Sequence, residues 1–144
     1  MHQYFTCCGL YCGACSSMLT LERNQGAPDA AHFVCDYEES PCPGCKGGET
    51  QDCEFIRCCQ EHDVSCCAYC NDFPCEMLKR FSVDEWVHHR DVIANHTRIK
   101  EIGIEAWLLE QSKQWTCPSC GARTHWYKTS CPLCKTEWQA RYES

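Results

Sequence analysis

The chain has 144 residues, 18 of them cysteine, and a formal net charge of −7. That length accommodates one ordinary domain or two to three small metal-held modules. The acidic balance argues against a phosphate-backbone binder, which needs a concentrated basic face, and no stretch approaches the ~18 consecutive apolar residues of a membrane span. Cysteine at this density marks either an exported disulfide scaffold or a metalloprotein.

The segment Met1-His2-Gln3-Tyr4-Phe5-Thr6-Cys7-Cys8 has neither a basic n-region nor an apolar run, so export is not expected. A cytoplasmic protein keeps its thiols reduced, which favours metal over disulfides. Ten cysteines fall into five Cys-x-x-Cys pairs: Cys12/Cys15, Cys42/Cys45, Cys67/Cys70, Cys117/Cys120 and Cys131/Cys134. A two-residue gap lets a tight turn aim both sulfurs at one ion, so each pair reads as half of a tetrahedral site. Charge is uneven: residues 1–112 carry 8 Lys and Arg against 18 Asp and Glu, whereas residues 113–144 carry 5 against 2.

Residues 1–75 hold fourteen cysteines, with much Gly and Pro and little sustained periodicity. Such a zone builds no large apolar core, and metal must supply what packing does not. One short helix is expected after Cys15, capped by Ser16 or Ser17, with Met18, Leu19 and Leu21 as its apolar edge. The loop from Glu39 to Gly48, around Cys42 and Cys45, reads as a turn-rich metal knuckle. Asp72 with Pro74 marks a second helix start, continued by Met77, Leu78 and Phe81. Residues 76–112 contain no cysteine. Trp86, Val87 and Ile93, then Ile99, Ile102, Ile104, Trp107 and Leu108, predict two further amphipathic helices broken near Asn95 and at Gly103. These helices are expected to roof the metal-bound zone, with His88 and His89 on their solvated side.

At the C-terminal end, Cys117-Pro118-Ser119-Cys120-Gly121 and Cys131-Pro132-Leu133-Cys134-Lys135 supply four thiolates. Gly121 permits the turn, and Thr124-His125-Trp126-Tyr127-Lys128 is long enough for one strand of a β-hairpin. This pattern predicts a four-cysteine zinc ribbon, although iron can occupy the same four sulfurs. Trp126, Tyr127 and Trp138 beside Arg123, Lys128, Lys135 and Arg141 would suit a stacking and phosphate surface. The small charge excess favours the plainer reading, in which so small a module needs its aromatics for packing.

Three vicinal pairs, Cys7-Cys8, Cys58-Cys59 and Cys66-Cys67, complicate the N-terminal half. Adjacent side chains seldom converge on one ion, so each pair should give one ligand and one bystander. The order Cys8-Gly9-Leu10-Tyr11-Cys12-Gly13-Ala14-Cys15, Cys42-Pro43-Gly44-Cys45-Lys46-Gly47-Gly48, Cys53-Glu54-Phe55-Ile56-Arg57-Cys58-Cys59 and Cys67-Ala68-Tyr69-Cys70-Asn71-Asp72-Phe73-Pro74-Cys75-Glu76 resembles a family of small cysteine-rich prokaryotic proteins classed as a domain of unknown function. The resemblance covers about residues 4–80, and Phe-Pro-Cys-Glu is its most specific part. Some members continue, as here, through Arg98-Ile99-Lys100-Glu101-Ile102-Gly103 into a terminal ribbon. The resemblance implies zinc binding and carries no established activity. It also implies that Cys8, Cys59 and Cys67 are the ligands of their doublets, leaving Cys7, Cys58 and Cys66 as additions and Cys35 without a counterpart. The implied N-terminal ligand set is Cys8, Cys12, Cys15, Cys42, Cys45, Cys53, Cys59, Cys67, Cys70 and Cys75, beside Cys117, Cys120, Cys131 and Cys134 in the ribbon. His62 is a possible recruit to a third site and is left outside this set.

Other chemistries fit less well. Cys8-x-x-x-Cys12-x-x-Cys15 can hold three irons of a [4Fe–4S] cluster, but the strand–helix alternation of radical enzymes is missing. A thioredoxin-like pair lacks its βαβ surroundings, and a metallothionein-like store would have fewer aromatics and less helix. There is no Gly-rich phosphate loop, His-Glu-x-x-His or serine elbow, and Glu38/Glu39 and Asp84/Glu85 read as solvated surface. The expectation is a small metal-stabilised α+β protein, more an interaction module than an enzyme. It has a cysteine-rich domain over 1–80, a helical segment over 81–112 and a zinc ribbon over 113–144. About three Zn²⁺ ions are expected, with a protein rather than nucleic acid or membrane as partner, and an iron–sulfur protein as the alternative.

Overall fold

The computed structural model describes residues 2–35, 41–42 and 53–142. Cys45 and most of the 39–48 loop therefore lie outside the described residues, as does the pair Glu38/Glu39. Within them the chain forms five α-helices: α1 (Ser16–Asn24), α2 (Glu54–Glu61), α3 (Glu76–Ser82), α4 (Val92–Ile102) and α5 (Ile104–Gln114). Short 3₁₀ turns connect them. The only β pairing among the described residues is two isolated antiparallel bridges, Thr116 with Arg123 and Ser130 with Glu137. The architecture is helical with almost no strand, which corrects the α+β expectation.

The expected hairpin strand over Thr124–Lys128 is absent because its residues are used elsewhere. Only Thr124 N–H, bonded to Trp115 C=O at 3.1 Å, joins the Thr116–Arg123 bridge, and Trp126 N–H donates instead to Ala14 C=O at 3.3 Å. The Trp126 ring, buried, stacks on His88 with centroids 4.1 Å apart and planes 11° from parallel. The segment docks onto the helices instead of pairing with itself.

Helix α1 starts after Cys15 as expected, with Cys15 rather than a serine at its N-cap and Ser16 as its first residue. Met18 and Leu19 are buried, and Leu19 packs with Ala30 and Phe33. Helix α3 begins at Glu76, later than the Asp72–Pro74 signal, with Cys75 at its N-cap. Helix α2 is an element that cysteine-first reading does not anticipate. Phe55 and Cys59, one turn apart, form its buried edge, and Phe55 meets Phe81 of α3 edge-on at 4.8 Å.

Gly103 does break the last helical stretch: its φ of 88° and ψ of 164° separate α4 from α5, a backbone conformation that is essentially glycine's alone. Asn95 does not break it, and sits inside α4. Its side-chain amide donates to Gly9 C=O at 2.9 Å, so it ties α4 to the N-terminal turn instead of competing for its own helix backbone. Ile99 on α4 and Trp107 and Leu108 on α5 are almost completely buried. They form one apolar cluster with Phe5, Tyr11, Ala14, Cys66 and Ala68 from the N-terminal half and Trp115, Trp126 and Tyr142 from the C-terminal end. A second cluster gathers Cys7, Cys8, Cys59 and Cys67 around Phe55, Leu78 and Val92.

Arg123 fastens the C-terminal segment to the N-terminal one. Its guanidinium pairs with Glu22 and with Asp29 at 3.1 Å, and donates to Gly13 C=O at 3.0 Å. Tyr4 O–H donates to the same Glu22 carboxylate at 2.6 Å while its ring lies under the Arg123 cation. Few of these groups face water, so the pairing is weakly screened.

His88 and His89 are not solvated. His89 Nδ1 lies 2.9 Å from both Asp84 carboxylate oxygens, and its ring stacks on Phe81 at 3.8 Å. His88 Nδ1 is 2.7 Å from Tyr127 Oη. Burial, and then the neighbouring His89, hold the His88 pKa down to about 4 from an ordinary 6.5. A depressed folded-state pKa means that stability is complete above the unfolded value near 6.5 and is lost as pH falls from there towards 4. Between pH 7.5 and pH 5 this linkage amounts to about 2 kcal/mol. His88→Phe keeps a ring on Trp126 but no titrating group, so its unfolding free energy should fall by about 2 kcal/mol less than wild type over that interval. Thiolate protonation is common to both proteins and cancels; parallel pH profiles in denaturant melts would exclude the linkage.

Candidate metal centre

Two short turns present the C-terminal sulfurs, and each is the same structure. In the first, Cys117 N–H donates to Ala122 C=O at 2.7 Å and Gly121 N–H to Cys117 C=O at 2.9 Å. In the second, Cys131 N–H donates to Thr136 C=O at 2.9 Å and Lys135 N–H to Cys131 C=O at 3.0 Å. Gly121 and Lys135 occupy equivalent left-handed positions, with φ of 77° and 66°. The isolated bridges lie just outside the turns at equivalent places. A repeated element therefore exists, a Cys-Pro-x-Cys turn closed twice by the same backbone bonds.

The four sulfurs Cys117, Cys120, Cys131 and Cys134 lie within 4.8 Å of one another. Across the two turns, Cys117 Sγ is 3.5 Å from Cys134 Sγ, and Cys120 Sγ is 3.5 Å from Cys131 Sγ. A disulfide needs ~2.0 Å, whereas four sulfurs on 2.3 Å bonds to one ion stand about 3.8 Å apart. Cys117 and Cys131 are buried while Cys120 and Cys134 are exposed, so an ion here would sit at the surface of the fold. The N–H groups of Ser119 and Cys120 point at Cys117 Sγ from 3.4 and 3.5 Å, the outer support that orients a thiolate ligand.

Charge in this cluster is unevenly supported. The Thr136 hydroxyl and N–H bring the Cys134 thiol down to about 6, and the backbone N–H groups of Cys134 and Leu133 lower Cys131. For Cys120 the Ala122 N–H pulls the same way, but the surrounding sulfurs of Cys131, Cys134 and Cys117 together with burial push it up to about 12. The first thiolates form readily and the next is resisted by those already present. A cation among them reverses that resistance.

The N-terminal thiols are distributed over two regions. The Cys12–Ala14 and Cys67–Tyr69 3₁₀ turns are twins: Cys15 N–H donates to Cys12 C=O at 3.0 Å, and Cys70 N–H to Cys67 C=O at 3.2 Å. Cys42 N–H donates to Ser17 C=O at 3.3 Å, which sets Cys42 at the start of α1 beside the first of these turns. The second turn faces α2 and α3. Cys58, Cys59, Cys67, Cys70 and Cys75 line a cavity of about 10 Å³ with Val64 and Phe73, room for about one water-sized occupant. Beside it, contact with Cys67 pushes the Cys59 thiol up to about 12, opposed by Cys7 and assisted by burial. Burial and then Cys75 and Cys70 raise Cys58. Cys15, Cys53 and Cys75 are the N-cap residues of α1, α2 and α3, ends where helix dipoles favour negative charge. Cys8 packs with Cys59 and Cys67, Cys66 is buried in the main apolar cluster, and Cys35 borders the small cluster around Leu19. No described cysteine forms a disulfide.

The aromatic and basic side chains near the C-terminal turns have internal partners. Tyr127 Oη meets His88, Trp138 Nε1–H donates to Lys128 C=O at 2.8 Å, and Arg141 pairs with Asp91 at 3.4 Å while covering Trp115. Asp72, read only as a helix start, lies with His62 and Cys70 in a second group of converging donors. Sequence spacing gives no signal for that group, because α2 and the second turn meet only in three dimensions.

The paired turns carry a test of their own. At Gly121 a Cβ would meet no atom within 4 Å, so the cost of a side chain there is purely conformational. Gly121→Ala should destabilise the metal-loaded protein by about 1–2 kcal/mol. Lys135→Gly, at the equivalent position, should be neutral or stabilising by up to about 1 kcal/mol. Thermal melts of both variants would check this, and equal losses at the two sites would mean that the turns are not equivalent.

Among the described residues, no helix is long and apolar enough to cross a membrane. No curated protein and no solved structure matches the chain. Residues 4–80 match the family described as protein of unknown function (DUF3795). That span is over half of the chain and contains the Cys12 and Cys67 turns, α1, α2 and the start of α3. The chain belongs to this family.

Proposed function

We propose that this is a zinc protein whose ions are structural, and that it serves as a cytoplasmic interaction or adaptor module rather than as an enzyme. The observation that carries the reading is the C-terminal sulfur tetrad, with 3.5 Å separations across two equivalent turns. It supports one ion shared by four thiolates, a zinc ribbon reduced to its two turns. In a [4Fe–4S] cluster each thiolate binds a different iron, and in a [2Fe–2S] cluster the four thiolates divide between two irons. In either case the cluster keeps some of the sulfurs farther apart than one shared ion does. The packing of Cys8 and Cys15 in different clusters likewise favours separate zinc sites over one cluster on Cys8, Cys12 and Cys15.

The reading extends to further ions in the N-terminal half, one for the region of Cys12, Cys15 and Cys42, and one among the thiols that line the α2–α3 cavity. The family motif, Cys-Gly-Leu-x-Cys-x-x-Cys and then Cys-x-x-Cys-x-x-Phe-Pro-Cys-Glu, frames these two regions. A structural zinc contributes ~10–16 kcal/mol of apparent binding energy, against a typical net stability of ~5–15 kcal/mol. One ion lost therefore removes a sum as large as the whole fold's margin. The protein partner is suggested by Val83 and Trp86, which stand 81% and 55% exposed in the link after α3.

Anaerobic purification followed by elemental analysis and an absorption spectrum tests the reading. About three zinc per chain that a weak chelator leaves in place, in a colourless sample, are expected; brown protein with iron and sulfide would replace this with the iron–sulfur alternative. Chelation should unfold the helices cooperatively, and Cys117→Ser should cost one zinc. Helical content that survives complete metal removal would refute the structural role.

A further inference from the structure

Where α2 ends, three different donors face one another away from the C-terminal tetrad. His62, the C-cap residue of α2, meets Cys70 at the end of the second 3₁₀ turn and Asp72 just beyond it. One donor atom from each lies within 4.8 Å of the others. Their convergence depends on α2 folding back over that turn.

The histidine's protonation state follows from its contacts. His62 Nδ1 lies 2.8 Å from Cys58 C=O. A carbonyl can only accept, so Nδ1 carries the proton, and in the neutral ring Nε2 is a bare lone pair. Nε2 faces Asp72 Oδ2 at 3.6 Å. A direct histidine–carboxylate hydrogen bond closes to ~2.7–2.9 Å, as the Asp84–His89 contact does at 2.9 Å in the same molecule. The wider spacing matches two ligands on one ion, since bonds of 2.0–2.2 Å at a tetrahedral angle span about 3.4 Å. A histidine whose second nitrogen is held by a backbone carbonyl is the usual arrangement of a metal ligand.

We propose that His62 Nε2, Cys70 Sγ and the Asp72 carboxylate bind a divalent cation of the zinc class, with a remaining coordination position open to water. Nitrogen, sulfur and oxygen donors together select zinc over magnesium or calcium, which take oxygen alone. Three protein ligands and one open position are what distinguish an exchangeable or reactive zinc from a closed structural one. The side chains of His62 and Asp72 are 42% and 71% exposed, so the ion is reachable by solvent and by chelators. The site shares no residue with Cys117, Cys120, Cys131 and Cys134, and it removes Cys70 from the all-thiolate set proposed for the neighbouring cavity.

The test compares wild type with the double variant His62→Gln and Asp72→Asn, purified with zinc and freed of loose metal by gel filtration. The expected result is one zinc fewer per chain with unchanged helical circular dichroism. The missing ion should be the one that a chelator removes fastest from wild type. His62→Cys, which returns a donor, should restore the ion, whereas His62→Gln alone should not. Equal zinc content and equal exchange in wild type and double variant would overturn the proposal and return Cys70 to an all-sulfur site. Cobalt substitution keeps the two readings separate. Loss of a single-thiolate contribution in the double variant, with the four-thiolate bands intact, supports this site. An unchanged cobalt spectrum refutes it, and absence of four-thiolate bands in both proteins refutes the tetrad instead.

Discussion

Thiols brought within 3.5 Å of one another cannot all ionise unless a cation shares them, and this constraint organises much of the molecule. Cys120 is pushed up and Cys134 drawn down within one tetrad, and Cys59 is raised by its contact with Cys67. Around the α2–α3 cavity five cysteines line a space for one small occupant, but no three of their sulfurs converge as closely as those of the tetrad. Each cluster is costly as bare thiolates and favourable around an ion. In the C-terminal tetrad, backbone turns and N–H···S contacts hold four sulfurs within 4.8 Å of one another, close enough to share one ion.

Apolar packing supplies the rest of the scaffold. The main cluster draws side chains from Phe5 to Tyr142, so the two ends of the chain are covered by the same α4–α5 pair. Trp107 on α5 meets Tyr11, and Trp126 stacks on His88, so each cysteine-bearing region leans an aromatic residue on the helical layer or its approach. Arg123 adds a polar tie between the segments through Glu22, Asp29 and Gly13. The cysteines of the second cluster are themselves part of the packed interior, beside Phe55, Leu78 and Val92. Metal and core are thus neighbours rather than alternatives, and a change in one set of side chains is felt by the other.

The mixed His62, Cys70 and Asp72 group differs in kind from the tetrad. The tetrad offers four like ligands and two buried sulfurs, which suit a closed ion that holds structure. The mixed group is exposed and offers three unlike ligands. Two donor groups of such different exposure and composition would separate stability from exchange if each held an ion.

Much of the local structure was legible from residue spacing. The Cys-x-x-Cys pairs foretold the 3₁₀ turns at Cys12 and Cys67 and the two C-terminal turns, because a two-residue gap has few ways to aim both sulfurs together. Gly103 marked a helix boundary through its backbone freedom, and the run from Ile99 to Leu108 marked a buried face. Helix α2 was hidden because Cys59 read as a ligand and Cys58 as its bystander, while Cys59 also serves, with Phe55, as an apolar helix position. Asn95 read as a breaker until its amide found Gly9, and Thr124–Lys128 read as a strand until Trp126 found His88. Asp72 and His62 had no visible link at all. These features depend on which surfaces meet, and periodicity along one chain carries no record of that. Residue spacing alone gave the four-sulfur group and the local turns that present it, because a two-residue gap fixes a turn. Tertiary packing decided which sulfurs meet, which histidines are buried and where a donor group opens to solvent, because those depend on surfaces distant in the chain.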